Sequence, residues 1–308
     1  MYMYAFRRVA QLVFVFFGVT LVVFVVVFSL PADPIQNLSP GRPLPPETVA
    51  QLRAHYHLDD PFLAQYWSYI GGVLHGDLGT DYFGRPVTEL MGQRWPVTIK
   101  LAATAIVFEI VFGIGLGLLA ALRHQRITDR AILFFTIAVI STPAFVLGYV
   151  AQLLFGIKWH IAPVAGVTDG WPTSYVVPAL ILGAWGLASV TRLVRGSVLE
   201  NLRADYVRTA YAKGLSSQRV VVRHVLRNSL IPVVTFLALD FGFMIGGAVV
   251  IEGIFNLPGV GQLLFSALKQ QAGPVIIGVS TALVLIFLVL NLIVDLLYGV
   301  LDPRIRLD

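Results

Sequence analysis

Six long apolar runs, separated by polar stretches of very unequal length, organise the chain. They are Val9 to Leu30, Thr98 to Leu122, Ala131 to Gly156, Val176 to Val190, Ile231 to Ile251 and Val275 to Val300. A helix needs about 20 predominantly apolar residues to cross the hydrocarbon core of a bilayer. The pattern therefore predicts an all-α integral membrane protein with six transmembrane helices, and an even number of spans puts both termini on one side. The first run carries no charge and follows Arg7-Arg8. It is longer than the apolar part of a cleaved leader, and Ser29-Leu-Pro-Ala32 makes a poor cleavage site, so the run is expected to stay as the first helix. The domain boundaries expected are 1–30 for the first transmembrane helix, 31–97 for the long segment after it, 98–302 for a five-helix core and 303–308 for a tail.

Composition supports the same class. Of 308 residues, 57% are hydrophobic and 13% charged, with a mean hydropathy of +0.79. Soluble domains carry about a quarter charged residues, and disordered chains need the reverse balance. Charge placement then sets orientation. Fifteen of the 22 basic residues lie in four places: Arg7 and Arg8; Arg123, Arg126 and Arg130 after the second run; eight between Arg192 and Arg227; and Arg304 and Arg306. The opposite short loops hold only Lys158 and Lys269. By the positive-inside rule both termini and the 191–230 loop are cytoplasmic, and 31–97 is extracytoplasmic. The net charge of +5 is thus an orientation signal and not a nucleic-acid footprint.

Two polar stretches are longer than turns require. Residues 31–97, rich in Pro, Gly and aromatics, are expected to form short amphipathic helices on the external surface. Residues 191–230 read as two short helices. Asp205 is placed to cap the first and Gly214 to end it in the left-handed conformation, while Ser216 or Ser217 can cap the second. Arg219, Arg223 and Arg227 then fall on one face of that second helix, where they can meet water or anionic lipid.

Several chemistries are absent from the sequence. There is no cysteine, and no Gly-Lys pair that could end a phosphate-cradling loop, so ATP hydrolysis would have to come from another chain. Gly278-Val-Ser-Thr-Ala282 only faintly resembles a serine nucleophile motif, and all six histidines lie in loops or at span ends. Asp240 and Asp295 lack the sequence setting of intramembrane aspartyl proteases, and His55-x-His57 is a weak metal pattern. No catalytic, metal or cofactor site is expected. Glu109, Asp240 and Asp295 do fall inside apolar runs, where a charge costs at least about 2.5 kcal/mol. They are candidate path-lining or interhelical polar residues. Gly113-x-x-x-Gly117 and Gly242-x-x-x-Gly246 permit close helix approach, and Pro143 predicts a kinked or broken third span.

The cytoplasmic loop carries a specific resemblance. Asp205-Tyr-Val-Arg-Thr-Ala-Tyr-Ala-Lys-Gly214 followed by Leu226-Arg-Asn-Ser-Leu-Ile-Pro232 resembles the "EAA" loop of ATP-binding-cassette (ABC) importer permeases, in the variant of the first membrane subunit of the dipeptide/oligopeptide/nickel family. Leu58-Asp-Asp-Pro61 through Gly76-Asp-Leu-Gly79, Pro163-Val-Ala-Gly166, Gly253-Ile-Phe-Asn-Leu-Pro-Gly-Val-Gly261 and the tail from Asp295 to Arg306 agree with it. The Glu of the generic loop is Arg208 here, and the later proline motif is Ser229-Leu-Ile-Pro232. The resemblance implies a type I ABC importer permease fold in a prokaryotic cell membrane. It also implies import of dipeptides or oligopeptides, with nickel chelates, glutathione or haem as alternative cargoes; a proton-coupled carrier would not need this loop. Implied partners are a second permease subunit, one or two cytoplasmic ATPases holding ATP and Mg²⁺, an extracytoplasmic binding protein, a peptide substrate and membrane lipid. Asp205, Tyr206, Val207, Arg208, Ala210, Tyr211, Lys213 and Gly214 would form the ATPase-coupling helix, with Tyr206, Val207, Ala210 and Tyr211 as its uncharged contact surface. Glu252, Asn256, Pro258, Gly259 and Gly261 would lie at a binding-protein docking rim or gate.

Overall fold

A computed structural model describes residues 2–28, 45–55 and 60–301. Leu58-Asp59, the Ser29–Ala32 stretch and the tail 303–308, with Arg304 and Arg306, lie outside the described residues. In chain order the helices are α1 (Tyr2–Phe28), α2 (Pro46–His55), α3 (Phe62–Leu74), α4 (Val87–Gly92), α5 (Trp95–Phe108), α6 (Ile114–Leu122), α7 (Ile127–Ile140), α8 (Ala144–Ala151), α9 (Thr173–Leu182), α10 (Ala184–Asn201), α11 (Asp205–Ala212), α12 (Ser217–Val220), α13 (Arg227–Ser229), α14 (Ile231–Phe255), α15 (Val260–Gln270) and α16 (Gly273–Leu301). Wider π turns follow α5 at Glu109–Gly113, α8 at Gln152–Lys158 and α12 at Val221–Leu226. Among the described residues there is no strand beyond an isolated bridge between Thr80 and Pro86.

Among the described residues four helices are long and apolar enough to cross a membrane: Arg7–Val27, Trp95–Leu122, Ile231–Phe255 and Gly273–Asp295. Two more candidates are bent pairs. Ile127–Ile140 meets Ala144–Lys158 at 104°, and Thr173–Leu182 meets Ala184–Asn201 at 60°, which brings the total to as many as six. Pro143 explains the first break. It disfavours helical geometry at Thr142 and cannot donate into the preceding turn, so α8 starts afresh with the Pro143 carbonyl accepting from Val146 and Leu147. At the second break Gly183 accepts a close approach: a side chain there would press on the Ala105 carbonyl at 3.1 Å. The fourth apolar run was expected to end at Val190. The helix instead continues to Asn201, so Arg192 and Arg195 stand on α10 and not in a loop. Hydropathy fell there because one face turned polar, while the buried face kept Val190, Val194 and Val198.

The chain forms two compact units. One comprises residues 1–98 and 258–308, the other 99–257. In the first, α3 corrects an expectation. It was placed on the external surface, yet its aromatic face packs along α1. Phe24 meets the rings of Phe62 and Tyr66 at 5.4 and 5.5 Å. The Tyr66 hydroxyl donates to the Phe17 carbonyl at 3.2 Å and lies 3.0 Å from the Thr20 hydroxyl. Phe17 is the midpoint of the 21-residue span Arg7–Val27. Phe62–Leu74 contains no charged residue to hold it in water, and α1 offers Tyr66 the polar partners that lipid would not. The loop after α3 is organised by Asp77, which accepts from the Gly79 amide, and by buried Asp81, which accepts from the Phe83 and Arg85 amides and pairs with the Arg85 guanidinium at 2.7 Å. Gly278 of α16 lets the Leu78 carbonyl sit directly against the helix.

In the second unit α10 is the central element. Gly113 and Gly117 face it, and a methyl group at Gly117 would stand 2.6 Å from the Thr191 carbonyl and 2.7 Å from Val194. The Gly113–Gly117 motif thus allows close packing, as its spacing predicts. Gly246, in the second such motif, faces open space.

The α3 packing generates a test. In a chain without native cysteine, Trp67→Cys is expected to react at least tenfold more slowly with an impermeant maleimide than Glu89→Cys, from either side of the membrane. Equal rates would place α3 in water and refute its seating along the first span.

Candidate functional site

The predicted coupling segment begins where α10 ends. α11 starts after Ala204, whose extended backbone breaks the helix, and Asp205 occupies the first turn. This corrects the expected cap: Asp205 makes no capping bond, is solvent-exposed, and instead lies 3.6 Å from Arg208. Its charge still suits the positive end of the helix. At the other end Gly214 adopts φ +76°. The Leu215 amide bonds the Ala210 carbonyl and the Gly214 amide the Tyr211 carbonyl, which together form a Schellman exit. Ser216 occupies the N-cap position of α12 without a side-chain bond. The second helix of the segment is one continuous helical stretch interrupted by the Val221–Leu226 π turn, and Arg219, Arg223 and Arg227 are all exposed on it.

The contact surface of α11 differs from expectation in two residues. Val207 and Ala210 are 1% and 5% exposed and belong to a core cluster with Ala121 of α6, Val190, Val194 and Val198 of α10, and Val233 of α14. They attach α11 to the membrane helices. Tyr206, Arg208, Tyr211 and Lys213 are the outward-facing set, with the Tyr206 hydroxyl donating to Asn201 at the end of α10. A hydrophobic pattern of eight residues cannot say which apolar side chains face a partner and which face their own core.

Sequence reasoning missed a buried ion pair nearby. Asp129, in the first turn of α7, receives Arg195 of α10 through two guanidinium contacts at 2.6 and 2.8 Å. It also accepts from the Gln125 amide, with His124 at 3.4 Å. In sequence both residues look like ordinary loop charges. The usable signal was an acid among Arg123, Arg126 and Arg130.

The three membrane carboxyls have different settings. Asp295 of α16 lies 3.4 Å from Arg8 of α1, as an ion pair near one end of both helices. Glu109 is 0% exposed and opens the π turn after α5. Asp240 of α14, half-buried, meets it across Gly186 of α10: a methyl group at Gly186 would overlap the Glu109 carboxyl and lie 2.7 Å from Asp240 Oδ2. The structure brings these two together and leaves Asp295 apart in its own pair.

The 252–261 stretch is also sorted by burial. Glu252 is 0% exposed, close enough to Tyr175 to interact electrostatically, which corrects its place on a docking rim. Asn256 takes the left-handed conformation that ends α14, and Leu257 closes that turn on the Glu252 carbonyl. Gly259 and Gly261 are buried around the start of α15, where the Val260 amide donates to Thr98 Oγ1 at 2.9 Å. Only Asn256 and Pro258 of the five are exposed. The Pro163–Gly166 turn is tied down from two sides: the Gln152 amide group donates to the Val164 carbonyl at 2.6 Å, and the Gly166 amide donates to Phe255 at 2.8 Å.

Breaking a buried ion pair from one side leaves an uncompensated charge and costs about 3–5 kcal/mol. Arg195→Met is therefore expected to reduce the yield and thermal stability of the membrane protein sharply, whereas the double variant Asp129→Leu with Arg195→Met recovers most of the loss. A double-mutant cycle on thermal aggregation midpoints checks it; additive losses would show that the pair is not coupled.

Comparison with known proteins agrees with this architecture. Residues 113–307 match the model of the family described as "Binding-protein-dependent transport system inner membrane component", and residues 1–102 match its companion, "Binding-prot-dependent transport system membrane comp, N-term". The chain is 36% identical over 330 residues to the dipeptide transport system permease protein DppB of Escherichia coli K12, covering 97% of each chain. It is 38% identical over 304 residues to the glutathione transport system permease protein GsiC of Escherichia coli O6:H1 and of Salmonella choleraesuis, covering 98% of each. With matches of this extent over an all-helical chain of four to six candidate spans, the protein belongs to the dipeptide/oligopeptide family of ABC importer permeases, as a multi-pass membrane subunit with the type I importer permease fold.

Proposed function

We propose that this chain is one of two permease subunits of an importer for short peptides, a class that includes glutathione, and that α11 couples it to a separate ATPase. Substrate would arrive on a binding protein at the outer face. Both termini and α11 would be cytoplasmic, with ATP and Mg²⁺ held by partner chains. The cargo reading is supported by the printed functions of the relatives, which divide between dipeptide and glutathione transport.

The observation that carries the coupling role is the two-sided construction of α11. Its inner face, Val207 and Ala210, shares a core with α6, α10 and α14. Its outer face presents Tyr206, Arg208, Tyr211 and Lys213 to whatever docks there. A helix built this way passes displacement to the membrane helices as a rigid body. The basic residues support the orientation. Arg123, Arg126 and Arg130 flank the α6–α7 corner, which Asp129 ties to the same end of α10 that leads into α11.

Gly214 gives the test. Its φ of +76° admits a β-branched residue only with strain, on the order of 1–2 kcal/mol. That is too little to unfold a membrane bundle but enough to alter the exit of α11. Gly214→Val is expected to insert and assemble while losing most substrate-stimulated ATP hydrolysis and peptide uptake in the reconstituted complex. Tyr206→Ala with Tyr211→Ala should weaken copurification of the ATPase. Full stimulated hydrolysis and uptake in both variants would overturn the coupling role. Uptake assays with dipeptides and glutathione in competition decide the cargo.

A further inference from the structure

The deepest unexplained feature of the second unit is the meeting of Glu109 and Asp240. Glu109 is 0% exposed, and neither of its carboxyl oxygens has a hydrogen-bond donor in reach among the described residues. Its carboxyl and that of Asp240 both lie against the bare backbone of Gly186, so they stand within a few ångströms of each other. The other charged or titratable groups on the surrounding elements are engaged or distant. Arg195 of α10 is held by Asp129, and Tyr175 of α9 interacts with Glu252 of α14. Arg192 is exposed about two turns beyond Gly186 on α10, and Lys100 is exposed more than two turns before Glu109 on α5. A π turn begins at Glu109, and such turns recur where a helix re-aims a side chain for use.

Two carboxyl groups this close, one of them fully buried and without a cation in contact among the described residues, cannot both remain ionised; one keeps a proton and donates it to the other. We propose that Glu109 and Asp240 form a proton-binding site, in which a single proton is shared between the two carboxyls across Gly186 and fastens the Glu109 π turn to α14 through α10. Its ligand is the proton itself, taken from water through the half-buried Asp240. The inference stands apart from the peptide cargo and from the role of α11, since neither is needed for the two carboxyls to meet.

Infrared spectroscopy of the complete transporter in lipid nanodiscs at neutral pH tests it. The wild type is expected to show the C=O band of a protonated carboxylic acid, shifted in D₂O. That band should vanish in both Glu109→Gln and Asp240→Asn. The amide supplies an N–H in place of the shared proton, so both variants should still assemble. Glu109→Leu removes the donor and should lower the amount of assembled complex severalfold. Absence of the band in the wild type, or its survival in both amide variants, would overturn the proposal. So would a wild-type spectrum that responds to Na⁺, or to the second permease subunit, in place of pH, since a cation would then hold the pair.

Discussion

How closely α10 can approach its neighbours governs the second unit. Lipid gives helices no hydrophobic reason to associate, so association rests on close packing and on polar contacts that lipid cannot supply. Gly113 and Gly117 open the surface of the second span to Val190, Thr191 and Val194, and Gly186 leaves room on α10 itself for two carboxyl groups. The same helix ends in the Arg195–Asp129 pair and the Asn201 contact to Tyr206. One helix therefore connects the carboxyl pair, the α6–α7 corner and α11.

The chain treats its buried charges in two ways, and each follows from depth. At the α6–α7 corner a carboxylate can meet an arginine whose stem reaches it, and Asp129 is satisfied by Arg195, with the Gln125 amide as a third donor. The Arg8–Asp295 contact in the other unit is looser and more exposed, at 3.4 Å. Deeper in the second span Glu109 has no basic partner among the described residues, where a cation would be as costly as the acid it neutralised. Glu109 and Asp240 instead face each other. Irregular backbone follows the same rule: the Pro163–Gly166 turn is tied within protein by Gln152 and the end of α14.

The proposed coupling role asks a small element, α11, to carry motion. The short α11 divides its few residues by face, one buried and one exposed. Val207 and Ala210 are given to the fold, which leaves two tyrosines and two basic residues exposed. Gly214 then turns the chain sharply enough for Leu215 to rejoin the core to which Ala210 belongs.

The sequence by itself determined the class and where most of the apolar helices lie; the six runs expected compare with four to six candidate spans. Apolar run length against bilayer thickness is nearly a one-dimensional problem, and local stereochemistry marks the break at Pro143 and the exit at Gly214. It also marked α11 through a family likeness that the matches over residues 1–102 and 113–307 support. It could not say that α10 runs on to Asn201, since amphipathic helix and polar loop look alike once average hydropathy drops. Nor could it say that α3 packs along α1, that Val207 and Glu252 are buried, or that Asp129 belongs to Arg195, 66 residues away. Those facts depend on which faces meet across the bundle. Periodicity tells that a residue has a face, and only tertiary packing decides what that face touches.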